Sequence, residues 1–345
     1  MFDSDSQKMK CPYCDSEFEI EALKSYNDEL LGEDEERFCW DNSGTEEWKA
    51  DELEGIKTYL CKSCGGEIIG DATSAATSCP YCGNPIVFSG QLSGVLRPDL
   101  VIPFKIDKEQ AKSALKAHFK GKKLLPGSFA DENRLDEIKG IYVPFWLFDA
   151  NTSSRVRYRG ERYRHWSDSE YFYTKTYHYA LIRGGDLEFE KIPVDGSSKM
   201  CDQLMESIEP YDMGKAVDFE SAYLAGYFAD RYDVSSAESI ERANQRIKLS
   251  VEDEFRSTTV GFFSVRTENS NIGLLESSVK YALLPIWLFR TSYKDKNYIF
   301  AMNGQTGKLV GDLPMDIKAY FKWLFGISAI AGIASFILII LFGLM

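Results

Sequence analysis

Residues 61–82 read CKSCGGEIIGDATSAATSCPYC, and the two C-x-x-C pairs in this stretch decide how the N-terminal part of the chain folds. A C-x-x-C sequence turns tightly enough to aim two thiolates at one point. Gly65, Gly66 and Gly83 follow the pairs, where the backbone has to turn. Fourteen residues separate Cys64 from Cys79, enough for EIIGDATSAATS to form a β-hairpin that brings the pairs together. Four thiolates around one ion make a closed tetrahedral site, so Cys61, Cys64, Cys79 and Cys82 are expected to hold structural Zn2+. With no coordination position left for water, such an ion folds its module and does no chemistry. An iron centre would use the same ligands.

Upstream, shifting the chain by 68 positions lays Cys11-Pro-Tyr-Cys14 on Cys79-Pro-Tyr-Cys82 and Asp3 on Asp71. In that register Cys11 and Cys14 form the second half of a ribbon, with its first half lying before Met1. Three arrangements complete such a site: a chain start further upstream, Cys39 with another group, or two chains sharing an ion. The first is favoured. Residues 1–24 are therefore expected to be a partial zinc ribbon and residues 57–90 a whole one. Between them, residues 25–56 are dominated by Asp and Glu, as in LGEDEER, and such density of like charge predicts a solvated acidic linker with some helix.

Downstream, residues 91–316 predict a mixed α+β body. Asp107 with Gln110 forms a capping box, and Ala111, Ala114, Leu115, His118 and Phe119 share one helical face before Gly121. A second helix starts near Ser235, with Glu238 three residues on and Ile240, Ala243, Ile247, Val251 and Phe255 at helical spacing. Two apolar segments, YVPFWLF (142–148) and LLPIWLF (283–289), share P-x-W-L-F and are followed by alternating, strand-like sequence. An internal duplication is expected from them, although the spacings differ. NYIFAMNGQTGKLVGDL (297–313) predicts a hairpin about Asn303-Gly304. The fold class is accordingly α+β: zinc ribbon, mixed body and one C-terminal transmembrane helix.

That helix is read from residues 323–345, WLFGISAIAGIASFILIILFGLM, which carry no ionisable side chain. At ~1.5 Å per residue the run crosses a hydrocarbon core of about 30 Å. Lys318 and Lys322 precede it, which places the rest of the chain on the cytoplasmic side of a cell membrane. Small pairs four residues apart, Ser328 with Gly332 and Ala331 with Ser335, suit close approach of another helix or self-association. The first residues, MFDSDSQKMK, have no signal-peptide character.

A net charge of -13 over 345 residues argues against broad affinity for nucleic acid. The local exception is Arg155, Arg157, Arg159, Arg162, Arg164 and Arg183, interleaved with aromatic residues. On a strand, Arg155, Arg157 and Arg159 face one way. They could meet lipid headgroups, an acidic partner or single-stranded nucleic acid, but pairing with Glu188 and Glu190 across the sheet is the favoured expectation. No catalytic constellation is present. His118, His165 and His178 have no ligand spacing, no H-E-x-x-H or G-x-S-x-G occurs, and Cys39 and Cys201 read as buried or incidental thiols.

Taken together, CPYCDSEFE (11–19), the ribbon (61–85), IKGIYVPFWLFDANTSSRVRYRGER (138–162) and IPVDGSSKMCDQLMESIEPYD (192–212) resemble the membrane-anchored TFIIB-type zinc-ribbon proteins of Gram-positive bacteria. The N-terminal ribbon of that family is usually complete, and this chain departs by beginning inside it. Members often carry a replication-restart helicase label. Here no G-x-x-x-x-G-K-[ST] loop exists, and Gly304–Lys308 has the wrong spacing to cradle phosphate. The resemblance implies a non-catalytic adaptor in membrane stress, alongside SPFH-domain and PspA-type partners. The alternative is a membrane-tethered nucleic-acid-binding regulator.

Overall fold

The computed structural model describes residues 2–4, 6–11, 16–24, 38–41, 48, 56–71, 78–91, 96–126, 138–294 and 296–343. In chain order the strands and helices are β1 (Phe2–Asp3), β2 (Lys8–Lys10), β3 (Glu17–Phe18), β4 (Ile56–Leu60), β5 (Glu67–Asp71), β6 (Val87–Gln91), β7 (Leu100–Val101), α1 (Lys108–Phe119), β8 (Lys139–Ser167) and β9 (Phe172–Asp195). They continue with α2 (Asp202–Ser207), β10 (Val217–Asp218), β11 (Phe228–Asp230), α3 (Ser236–Ser257), β12 (Ser264–Tyr293), β13 (Lys296–Asn303), β14 (Leu309–Gly311) and α4 (Ile317–Gly343). The chain forms two compact units. The first is Met1–Ser43, Phe148–Ile192 and Ile240–Val279, and the second is Gly44–Leu147, Pro193–Ser239 and Lys280–Met345.

The first unit takes the alternating halves of β8 and β12. From Ala150 to Gly160 every second residue of β8 is buried, which leaves Arg155, Arg157 and Arg159 on the other face, as period-2 geometry requires. The carboxylate against Arg157 is Glu268 of β12, at 3.2 Å, and not Glu188 or Glu190 of β9. On the buried face Val156 and Tyr158 pack with Ile247, Val251 and Phe255 of α3 and with Ile272. The Tyr158 hydroxyl donates to the carbonyl of Glu252 at 2.6 Å. Part of the acidic linker belongs to this core: Phe38 and Trp40 pack against it, and the Trp40 indole donates to Asn244 at 2.9 Å. At these two residues aromatic packing adds to the solvated linker that the charge density predicts. Residues 25–37, 42–47 and 49–55 of that linker lie outside the described residues.

In the second unit the P-x-W-L-F segments of β8 and β12 are almost continuously buried, and the same hydrogen bonds recur around each. The Trp146 indole donates to the carbonyl of Val234, and the Trp287 indole to that of Ile106, each at 2.9 Å. Both acceptors stand immediately before a helix N-cap. Asp107 caps α1 with Gln110, and Ser235 is bonded reciprocally with Glu238 at the start of α3. Gly196 N–H donates to the carbonyl of Pro144 and Gly304 N–H to that of Pro285. The Gly196 carbonyl in turn accepts from Asp233 and Val234, as that of Gly304 does from Lys105 and Ile106. Parallel pairing repeats as well, with Ile141 and Tyr142 beside Phe228 and Ala229, and Ala282 and Leu283 beside Leu100 and Val101. The outer edges of the two arrangements differ: β7 pairs with the two-residue β10, whereas β11 pairs with β5 of the cysteine ribbon.

Helix α1 packs Ala111, Leu115 and Phe119 against Trp287, Phe289 and Phe300. The hairpin of β13 and β14 turns at Asn303, whose side chain accepts from the N–H groups of Gln305 and Thr306. Within Ile317–Ile340 of α4, an 18-residue window reaches a mean hydropathy of 2.3 with none of it buried, so this helix is long and apolar enough to cross a membrane.

Candidate metal centre

Strand β4 is the centre of the ribbon, pairing antiparallel with β5 through Leu60 and Glu67 and with β6 through Leu60 and Val87. Of the expected bridging hairpin (67–78), residues 67–71 form β5 and pair with β4. Residues 72–77 lie outside the described residues. Each C-x-x-C is closed by one pair of hydrogen bonds. Cys61 N–H donates to Gly66 and Gly65 N–H to Cys61, at 2.9 and 2.8 Å. Cys79 N–H donates to Asn84 and Gly83 N–H to Cys79, at 2.8 and 3.0 Å. Gly65 and Gly83 have φ of 70° and 72°, the left-handed region that a Cβ disfavours by about 1–2 kcal/mol.

The two turns bring all four Sγ atoms within 4.8 Å of one another. Cys61 Sγ lies 3.3 Å from Cys82 Sγ, and Cys64 Sγ lies 3.7 Å from Cys79 Sγ. A tetrahedron with metal–sulfur bonds of about 2.3 Å has sulfur–sulfur edges of about 3.8 Å, so the cage is close to the size of an ion. The separations are far beyond the ~2.05 Å of a disulfide, and the cysteines are free. Four soft donors with no place for a fifth group can hold a metal ion as a structural element. Burial opposes ionisation of Cys61, but the N–H groups of Cys64 and Ser63 and the Cys82 thiol outweigh it and bring this thiol down to about 7. Burial pushes Cys64 and Cys79 up. Asn84 Nδ2 donates to Cys82 Sγ at 3.5 Å.

The cage is set into the second unit. Cys61 and Cys79 are fully buried and belong to one apolar core with Ile68, Phe145, Leu147 and Ile286. Arg290 donates to the carbonyl of Tyr81 at 2.7 Å, and Lys139 donates to that of Ser78 at 3.0 Å, so cations from β12 and β8 hold the second turn. Tyr81 is itself buried, and burial together with nearby Asp230 pushes its phenol well up. Burial also lifts Asp230 to about 7, against the opposing hydrogen bond from the Ser197 hydroxyl. Nothing local in the sequence marks Asp230, Ser197 or Arg290 as neighbours of the cage.

The Cys11 N–H donates to the carbonyl of Ser16 at 2.8 Å, with β2 and β3 on either side of residues 12–15, which lie outside the described residues. Cys14 lies outside the described residues. Cys39 and Cys201 are exposed, not buried. His118 is half-buried on α1, His165 lies 2.9 Å from Thr174, and His178 lies 3.4 Å from Glu161. Among the described residues, the four-cysteine cluster is the group of metal-ligating type.

These features define an α+β protein with a four-cysteine site built into its sheet and a C-terminal helix of membrane-spanning length. The chain is 34% identical to the uncharacterized protein YdjG of Bacillus subtilis (strain 168), over 79% of this chain and 94% of that one, and it belongs to the same family. No family model and no solved structure matches it.

Proposed function

We propose that this chain is a non-catalytic adaptor held at a membrane by α4, its body facing the cytoplasm and its ribbon folded around Zn2+ at Cys61, Cys64, Cys79 and Cys82. The observation that carries this reading is the place of the cage: two of its thiols sit in the core that also holds Phe145, Leu147 and Ile286. An ion there acts on the fold of the body and has no face open to a substrate. The recurring hydrogen bonds about Trp146 and Trp287 support an internal duplication in which one copy acquired the ribbon at its edge. Protein partners of the SPFH and PspA type are those that the sequence resemblance implies. Cation–π contacts of Arg162 with Tyr179 and Phe262 and the ion pair of Arg157 occupy cations that a nucleic acid would need.

Membrane fractionation tests the reading directly. The full chain should resist extraction by high salt, and a chain ending before Trp323 should leave the membrane fraction. Retention of the shortened chain would sink the anchor. Salt-dependent binding of single-stranded nucleic acid by that shortened chain would replace the adaptor with the tethered regulator.

A further inference from the structure

The turn that follows α1 reads Lys120-Gly-Lys-Lys-Leu124, and the fold pins it against the base of α4. The carbonyl of Leu124 accepts from Asp316 N–H at 2.8 Å, and Asp316 is the residue whose carboxylate caps α4 through Lys318 N–H at 2.9 Å. The Lys123 ammonium lies 4.1 Å from the centre of the Trp323 ring. Trp323 opens the uncharged run, so this contact fixes the height of the turn at the end of the apolar segment. Lys120, Lys122 and Lys123 from the turn and Lys318 and Lys322 from α4 are all exposed there.

Asp316, the carboxylate at the base of α4, is committed to the helix N-terminus. His118 accepts from Lys122 Nζ at 2.8 Å, and burial and that charge hold the imidazole below its usual range, so it orients the ammonium without adding a second cation. Tyr320, Phe321 and Trp323 are exposed at the same level, as aromatic residues of a bilayer interface are. In a chain with net charge -13, five gathered lysines stand against the overall field.

We propose that this collar of five lysines is a binding site for the anionic headgroups of the leaflet that α4 enters, and that it seats the second unit on the membrane surface. The inference rests on the reading of α4 as a membrane span. Lysine suits the task, because its ammonium is a point charge that can follow mobile phosphates. Each lysine near an anionic surface contributes about fivefold to partitioning, so the three of the turn contribute roughly a hundredfold.

Hydrogen exchange of the full chain in lipid nanodiscs tests this. Amides of residues 119–125 should exchange up to about a hundredfold more slowly in discs containing phosphatidylglycerol than in pure phosphatidylcholine discs. The difference should vanish in K120Q/K122Q/K123Q and in high salt, with exchange in β8 unchanged as proof of folding. Equal exchange in both discs, or protection that survives the triple substitution, overturns the proposal. So does equal protection by inorganic phosphate added to phosphatidylcholine discs, which would assign the site to a soluble anion. If the amides of residues 325–340 were unprotected in every disc, the membrane span itself would fail and the collar with it. Protected α4 amides with a charge-insensitive turn would sink the collar alone.

Discussion

Lowering pH should strip the metal from the ribbon steeply, and the cage gives the steepness. Before an ion enters at neutral pH, Cys64 and Cys79 each hold a proton, because burial raises both. An entering ion needs thiolates, so these two groups alone release about two protons. Apparent affinity should therefore fall at least ~100-fold, or ~2.7 kcal/mol, for each unit of pH below neutral. The sign is fixed: protons compete with the metal, and binding strengthens as pH rises. The assay is a Zn2+ titration of reduced, metal-free protein against a chromophoric chelator between about pH 6 and 7.5, with proton release measured by calorimetry in buffers of different ionisation enthalpy. Release of fewer than about one proton per ion would refute the cage as described, since it would require thiols already ionised in a buried core.

Replacing Trp146 or Trp287 by Phe removes the indole donor from the carbonyl of Val234 or Ile106, and each should cost about 2 kcal/mol with the two values within about 1 kcal/mol. Urea midpoints check this, and one neutral substitution would break the equivalence. Gly304→Ala places a Cβ 2.7 Å from the Phe104 ring, against 3.2 Å from Trp146 Nε1 for Gly196→Ala. The first should cost about 1–3 kcal/mol in thermal unfolding and the second less. Asp230, lifted by burial from the ordinary carboxylate range to about 7, binds its proton more tightly folded than unfolded. It therefore costs stability as pH rises from about 4 to 7. Asp230→Asn should flatten that slope in urea midpoints measured against pH, and an unchanged slope would place the buried charge elsewhere.

Features that close over a few residues were legible in the sequence. The cysteine turns, the Asp107 and Ser235 caps and the Asn303 turn are each complete within six residues or fewer, so spacing and residue type suffice. P-x-W-L-F announced a repeat, but not that each tryptophan would reach across to the entry of the other helix. That geometry belongs to tertiary pairing and leaves no local mark. Within the acidic stretch, the contact of Phe38 and Trp40 with the first unit's core was not legible, because two isolated aromatics leave no periodic pattern. Arg157 misled because complementary alternation on β9 looked sufficient, whereas the third strand supplied Glu268. Asp230 was invisible for the same reason as the β5–β11 pairing that brings it beside Ile68.

That pairing also governs what the rest of the sheet exposes. Along Ala229 and Asp230, β11 has β5 as its outer neighbour, and β5 stays in place through a ribbon whose two ends converge on the thiol cage. Once the ribbon opens, the unpaired amides and carbonyls of β11 become a template for strand addition from a second chain. With only Phe228–Asp230 in β11, that edge is short, so any strand addition should show as a small rise in light scattering once the ribbon is opened.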